Sequence, residues 1–209
     1  MSREEYFFEF RKRLWVTKGC RFGANRRLSL KHQISTFTLS LLSVYVIAVS
    51  LFGLVFAADF ENAIITTINL SAVVVSLFIL TLSNVESGKG YQLKAAMLLK
   101  SAQKISELYN ELEFQNCTEQ ISNESLYKLN SEYDKIISDI PENHDEVDFL
   151  YFKTLHKKDF GLNGFGNIAA VLNIKAKYYF DICGFYFFSL VTPPILMVFI
   201  YKLASSIQL

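Results

Sequence analysis

The chain has 209 residues, 51% hydrophobic, 15% aromatic and 20% charged, with a formal net charge of +1 and a positive mean hydropathy. That mixture excludes a wholly aqueous or wholly lipid-embedded protein and points to a chain that is part membrane, part water-exposed. Cys20, Cys117 and Cys183 are far apart, odd in number and without a Cys-x-x-Cys pair or histidine cluster, so neither a disulfide framework nor a zinc site is indicated.

The first residues lack a basic start running into a short apolar stretch and a small-residue cleavage site, so the first long hydrophobic run is expected to serve as both targeting signal and anchor. Ser2 to Leu14 predicts a short helix, with Tyr6, Phe7, Phe10 and Leu14 at helical spacing and Arg3, Glu4, Arg11 and Lys12 on the rest of the turn. Such an aromatic stripe suits the headgroup layer of an anionic leaflet, and equally suits packing on the aqueous part of the same chain. Gly19 and Gly23 interrupt the pattern, and Arg21 to Lys31 then leads into the apolar run as a cluster of cations suited to orientation and headgroup binding. Nucleic acid is another partner for basic clusters, but one membrane-flanking stretch is unspecific, and no direct nucleic-acid binding is expected.

From Gln33 to Ala58 no residue is charged, and after Asp59-Phe60-Glu61-Asn62 a second charge-free run lasts to Val85. Each exceeds the roughly 20 helical residues that cross about 30 Å of hydrocarbon. Lipid offers the backbone no partners, so two antiparallel helices joined by a tight turn are predicted. Cations precede the hairpin, and Lys89, Lys94, Lys100 and Lys104 follow it, which assigns both flanks to the cytoplasm and the acidic tip to the outside. Thr36, Ser40, Ser43, Ile47 and Ser50 share one face of the first helix. Thr66, Asn69, Val73, Ser76, Leu80 and Ser83 share one face of the second. These partly polar seams suit helix packing or the lining of a water path. No Asp, Glu, Lys or Arg within the runs marks a proton relay, and Asn69 is the most polar residue at depth.

Glu86 to Gly90 loosens the helix, after which Tyr91, Ala95, Leu98, Ala102, Ile105, Tyr109 and Leu112 form a heptad-like seam and a candidate contact between subunits. Asn116 to Asn123 is a polar break, and its Asn-x-Ser/Thr matches at Asn116 and Asn123 carry no meaning in a cytoplasmic segment. A helix from Glu124 to about Ile140 buries Leu126, Leu129, Tyr133, Ile136 and Ile137, and Pro141 stops it. Asn143 is expected to cap the next helix, which runs to about Lys158 with acids in its first turn and presents Phe149, Phe152 and His156. His144 and Asp148 lie one turn apart, a spacing that could hold a metal or position a base, but no second ligand pair accompanies them. Gly161 to Gly166 lacks the lysine and hydroxyl of a phosphate loop and reads as a hinge. Ile168 to Asp181 resumes as helix and feeds a third charge-free run, Ile182 to Tyr201, which Pro193-Pro194 would kink.

The pattern resembles the SLATT family, bacterial two-helix membrane effector domains associated with nucleotide-sensing partners. The likeness rests on Arg26-Arg27-Leu28 leading into Ser35-Thr36-Phe37-Thr38-Leu39-Ser40-Leu41-Leu42-Ser43-Val44-Tyr45, on the short tip, and on the helix Tyr91 to Leu112. Tyr133 to Phe149, with Asn143, His144 and Asp148, extends it, so that most of residues 20 to 160 are covered. The resemblance implies an effector of bacterial antiviral conflict systems that damages the inner membrane, acting as a pore once a partner protein supplies the signal. The third hydrophobic run departs from the two-helix description.

The expected protein is therefore an all-α integral membrane protein of the bacterial inner membrane: a transmembrane helical hairpin, a cytoplasmic helical bundle and a third, Pro-kinked C-terminal membrane helix. The expected divisions are a basic N-terminal cytoplasmic segment (1–32), the hairpin (33–86), a cytoplasmic helical region (87–181), and the third membrane helix with its tail (182–209). Two or three helices cannot enclose a water path alone, so a pore requires a homo-oligomer. No catalytic residue, cofactor or metal is assigned. Two other readings are an anchored adaptor whose helices from Tyr91 to Lys158 recruit a partner, and a lipid-acting enzyme using His144 and Asp148.

Overall fold

The structure, a computed structural model, describes residues 2–55, 62–118, 121–162 and 164–207. Its elements are α1 (Arg3–Val55), α2 (Asn62–Gly88), α3 (Tyr91–Thr118), α4 (Asn123–Ser138), α5 (Glu146–Leu155) and α6 (Ile168–Ile207), the last preceded by a 3-10 turn at Phe165–Asn167. The described residues contain no strand, so the fold is all-helical as expected. Asp59, Phe60 and Glu61 of the expected tip, Asn163 of the glycine-rich stretch and the last two residues of the tail lie outside the described residues.

The chain divides into two compact units. A bundle unit combines Met1–Leu30 with Tyr91–Tyr179, and an apolar unit combines Lys31–Gly90 with Phe180–Leu209.

In the bundle unit, the short first helix expected from Ser2 to Leu14 does not stop at Gly19 and Gly23; both lie inside α1. Gly19 is needed for contact rather than for a break. A Cβ there would stand 2.2 Å from Cε2 of Phe152, so α5 packs directly on the backbone of α1. Gly23 faces open space. The aromatic stripe at the start of α1 turns inward: Phe10 and Leu14 are buried with Ile105, Leu108 and Leu112 of α3 and with Leu126, Leu129, Tyr133 and Ile136 of α4, and Tyr6 and Phe7 pack against them. Packing, not headgroup contact, is the role of this stripe in the fold.

Helix α4 starts where Ser122 in extended conformation accepts a hydrogen bond from the Ser125 amide, and it buries four of the five residues its periodicity marked, with Ile137 partly buried. The cap of α5 differs from expectation. Asp145, not Asn143, is the N-cap, and its amide donates to Asp148 Oδ2 at 3.0 Å; the Asn143 side chain instead accepts from the His144 amide. The helix also ends at Leu155 rather than Lys158. Gly161 and Gly164 take φ of 65° and 139°, conformations that suit glycine, which explains their place ahead of α6.

The apolar unit is held together by Leu42 of α1 with Val75, Ile79 and Leu82 of α2, and Leu39, Val46 and Leu190 pack around them. Gly90, at φ 60°, separates α2 from α3. Pro193 and Pro194 lie inside α6. Much of the unit's large apolar surface points outward, including Phe37, Leu41, Leu51 and Leu54 of α1, Leu70, Leu77 and Phe78 of α2, and Phe187 and Ile195 of α6. In water such a surface would drive association. Helices α1 and α2 each carry an apolar stretch long enough to cross a bilayer.

The two helical glycines predict opposite effects. Gly19→Ala should destabilise the bundle unit by about 1–3 kcal/mol through its clash with a ring that is itself buried. Gly23→Ala should stabilise it by up to about 1 kcal/mol through helix propensity. Thermal unfolding of both variants in detergent is the check.

Candidate functional site

Two places concentrate buried polar chemistry, one in each unit, and a third set of polar groups lies on the outside of the apolar helices. In the bundle unit the centre is Arg27 of α1, whose side chain is 4% exposed. Its Nε donates to Asp148 Oδ1 at 2.8 Å and its Nη2 to Asp148 Oδ2 at 2.9 Å, while Nη2 also donates to Asp145 Oδ2 at 2.5 Å. A two-pronged guanidinium–carboxylate pair is the geometry that makes burial of both charges tolerable. Six residues earlier on the same helix, Arg21 is 1% exposed and donates through Nη1 to Ser101 Oγ, while its Nε has no hydrogen-bond partner among the described residues. His144 Nδ1 is likewise buried without a partner there. Burial lowers the His144 pKa, Asp148 opposes that shift, Arg21 adds to it, and Asp145 opposes it. Cys20, beside this cluster, has its thiol pushed up to about 12 by burial and then by Asp148, so it is inert; Cys117 and Cys183 are exposed. Tyr178, stacked on Tyr151 at 3.9 Å, is also pushed up to about 12, by burial and then by Asp148.

This arrangement revises one expectation and adds to another. Arg21 and Arg27, read as membrane-flanking cations, are interior, whereas Arg26 between them is exposed. Asp148 lies in the first turn of α5 as expected, but it is buried, with both carboxylate oxygens engaged by Arg27. No group of three or more metal-ligating side chains occurs among the described residues.

The second centre is Glu86, at the end of α2. Its carboxylate is 3% exposed, and it accepts from Ser35 Oγ of α1 at 3.1 Å, from Tyr186 OH of α6 at 2.7 Å, and from Lys89 Nζ. Lys31 of α1 and Asp181 of α6 are joined at 2.9 Å in the same unit. From sequence alone Glu86 belongs only to a helix-loosening stretch. Its position was nonetheless marked, because it continues the inward stripe Val75, Ile79, Leu82 by one more step of four.

The predicted seams occupy a different face. The inward stripe of α1 is Ser35, Thr38 and Leu42, and that of α2 is Ala72, Val75, Ile79 and Leu82. Thr36, Ser40 and Ser43, and Thr66, Asn69 and Ser76, are exposed; Ser50 and Ser83 are half-buried. Each seam lies one residue, about 100°, round its helix from the face that packs within the chain. The hydroxyls of Thr36, Ser40, Ser43, Ser50, Thr66 and Ser76 each donate to the carbonyl four residues earlier. Asn69 has no such self-contained solution, and its Oδ1 lies where a Cβ on Gly53 would meet it at 3.4 Å. The α3 seam faces inward: Leu98, Ile105 and Leu112 are buried, Tyr91 packs beside Leu28 and Leu98, and Tyr109 packs against the cluster around Phe10.

A family model described as SMODS and SLOG-associating 2TM effector domain family 5 matches residues 3–199. No curated protein and no solved structure matches the chain.

Two measurements test the bundle-unit centre. Asp148→Asn leaves the buried Arg27 short of its main counter-charge and should cost about 3–5 kcal/mol in thermal unfolding, with much of the loss recovered by Arg27→Met with Asp148→Leu. His144 resists protonation in the folded chain, so as pH falls below its ordinary value of 6.5 the unfolded chain takes up the proton first. Stability should therefore decline below that pH, and His144→Gln should flatten this part of the profile.

Proposed function

The chain belongs to the SMODS and SLOG-associating two-transmembrane effector domains, and from that membership we propose that it is the membrane-disrupting arm of a bacterial antiviral conflict system. Several copies assemble in the inner membrane and open a water path when a partner protein supplies the activating signal. The two apolar helices anchor each copy, with the helices of the bundle unit on the cytoplasmic side. The third hydrophobic run, in α6, is a further crossing.

The observation that carries this reading is the outward position of the seams on α1 and α2. Thr36, Ser40, Ser43, Thr66 and Ser76 form lines of oxygen atoms on faces that the chain's own packing leaves uncovered. Because each hydroxyl bonds to its own helix, a single copy tolerates lipid on that face at little cost. The same oxygens can turn to water once neighbouring copies exclude lipid. That combination suits a protein that must wait harmlessly in the bilayer and then assemble. Asn69 cannot satisfy itself in this way, which makes it the residue with most to gain from assembly.

Membrane potential followed with a dye in bacteria overproducing the chain, where mass action drives assembly without the partner's signal, distinguishes pore from anchor. Wild type should depolarise cells, and Asn69→Leu should do so about fivefold less at equal inserted protein, the equivalent of roughly 1 kcal/mol for one interhelical hydrogen bond. A potential that holds at every expression level, with inserted protein abundant, supports an anchored adaptor instead.

A further inference from the structure

We infer that Glu86 is a positioning residue that clasps α6 onto the hairpin and sets the resting packing of the apolar unit; its role in closing the path rests on the pore reading above. The inward face of α6 in this unit is Ile182, Tyr186, Ser189 and Leu190, and most of what it meets is apolar. Apolar contact alone holds helices weakly in lipid, because hydrocarbon outside is as favourable as a leucine inside. Tyr186 is different. Its hydroxyl reaches a carboxylate that is almost fully removed from solvent, and the same oxygen, Oε2, also accepts from Ser35 of α1. One atom of α2 therefore joins all three helices.

The energetics make this contact a switch rather than a gradual slide. A buried carboxylate is tolerated while its donors are in place and becomes costly when one leaves. Moving α6 away removes Tyr186 and leaves Glu86 with Ser35 and Lys89 only. The Lys31–Asp181 pair joins α1 to α6, but Asp181 is 36% exposed, so water can replace that contact more readily. The resting and released packings are thus separated mainly at Glu86, and any shift of α6 must be complete enough for the carboxylate to find water or a new donor.

The test uses the full chain carrying Tyr186→Phe, Glu86→Gln, both, or Lys31→Ala. Thermal unfolding in detergent gives the coupling between the first two changes, and the inserted amount at which cells depolarise gives the resting equilibrium. The clasp requires that the double variant be little worse than the worse single one. Its closing role requires that Tyr186→Phe depolarise cells at about tenfold less inserted protein than wild type, with Lys31→Ala moving the threshold less. A merely structural loss would raise the threshold or abolish the activity. Additive effects on stability overturn the clasp. Coupled stability with an unmoved or raised threshold overturns its closing role. If neither wild type nor any variant depolarises cells although the cycle is coupled, the pore reading fails and the contact among α1, α2 and α6 stands without it.

Discussion

A guanidinium that is almost fully buried needs a carboxylate, and the one that meets Arg27 lies 121 residues further along the chain. The pair brings α5 back onto α1 across the whole of the intervening chain. Neighbouring features converge on the same closure: Phe152 seats on the bare backbone at Gly19, and Tyr178 is buried near Asp148. The two ends of the bundle unit's sequence are thereby fastened to each other, and an error at either end leaves a charge stranded inside. Such pairing couples the stability of the two ends, because losing either partner strands a buried charge.

The apolar unit handles its polar groups in two ways. Most of its hydroxyls bond back to their own helix, which makes them indifferent to whether lipid, water or another helix lies opposite. Glu86 has no such option, because a carboxylate needs donors from elsewhere, and it draws them from three directions. One set of groups leaves the outside of the unit free to change neighbours; the other fixes its inside.

Much of the fold was legible because periodicity reports burial directly. The two long apolar runs, the α4 stripe and the break before Tyr91 all follow from the spacing of apolar residues and the placing of glycine and proline. Three features were not legible, each for a physical reason. Glycine signals either a break or a close approach, and only Phe152, far away in sequence, decides for Gly19. Arginine beside a membrane run is ordinarily a headgroup cation, so Arg27 looked like Arg26 until Asp148 was found against it. The cap of α5 was ambiguous because Asn143 and Asp145 each have an acid three positions on, Glu146 and Asp148, and the structure has the Asp145 amide donating to Asp148. The hydroxyl seams read as one-sided, but which side they face depends on Ser35, Thr38 and the α2 stripe, whose inward role is set by packing.

The three thiols also differ in a way that bears on how the protein can be observed. Cys20 is buried and held in its protonated form, while Cys117 is exposed on α3 in the bundle unit and Cys183 is exposed on α6 in the apolar unit. Alkylating reagents need a thiolate and a path to it. The native sequence therefore exposes one thiol in each unit and keeps the third silent, and because Cys183 lies in the third apolar run while Cys117 lies in the bundle unit, the two thiols differ in the surroundings in which a thiolate can form, without a cysteine being added or removed.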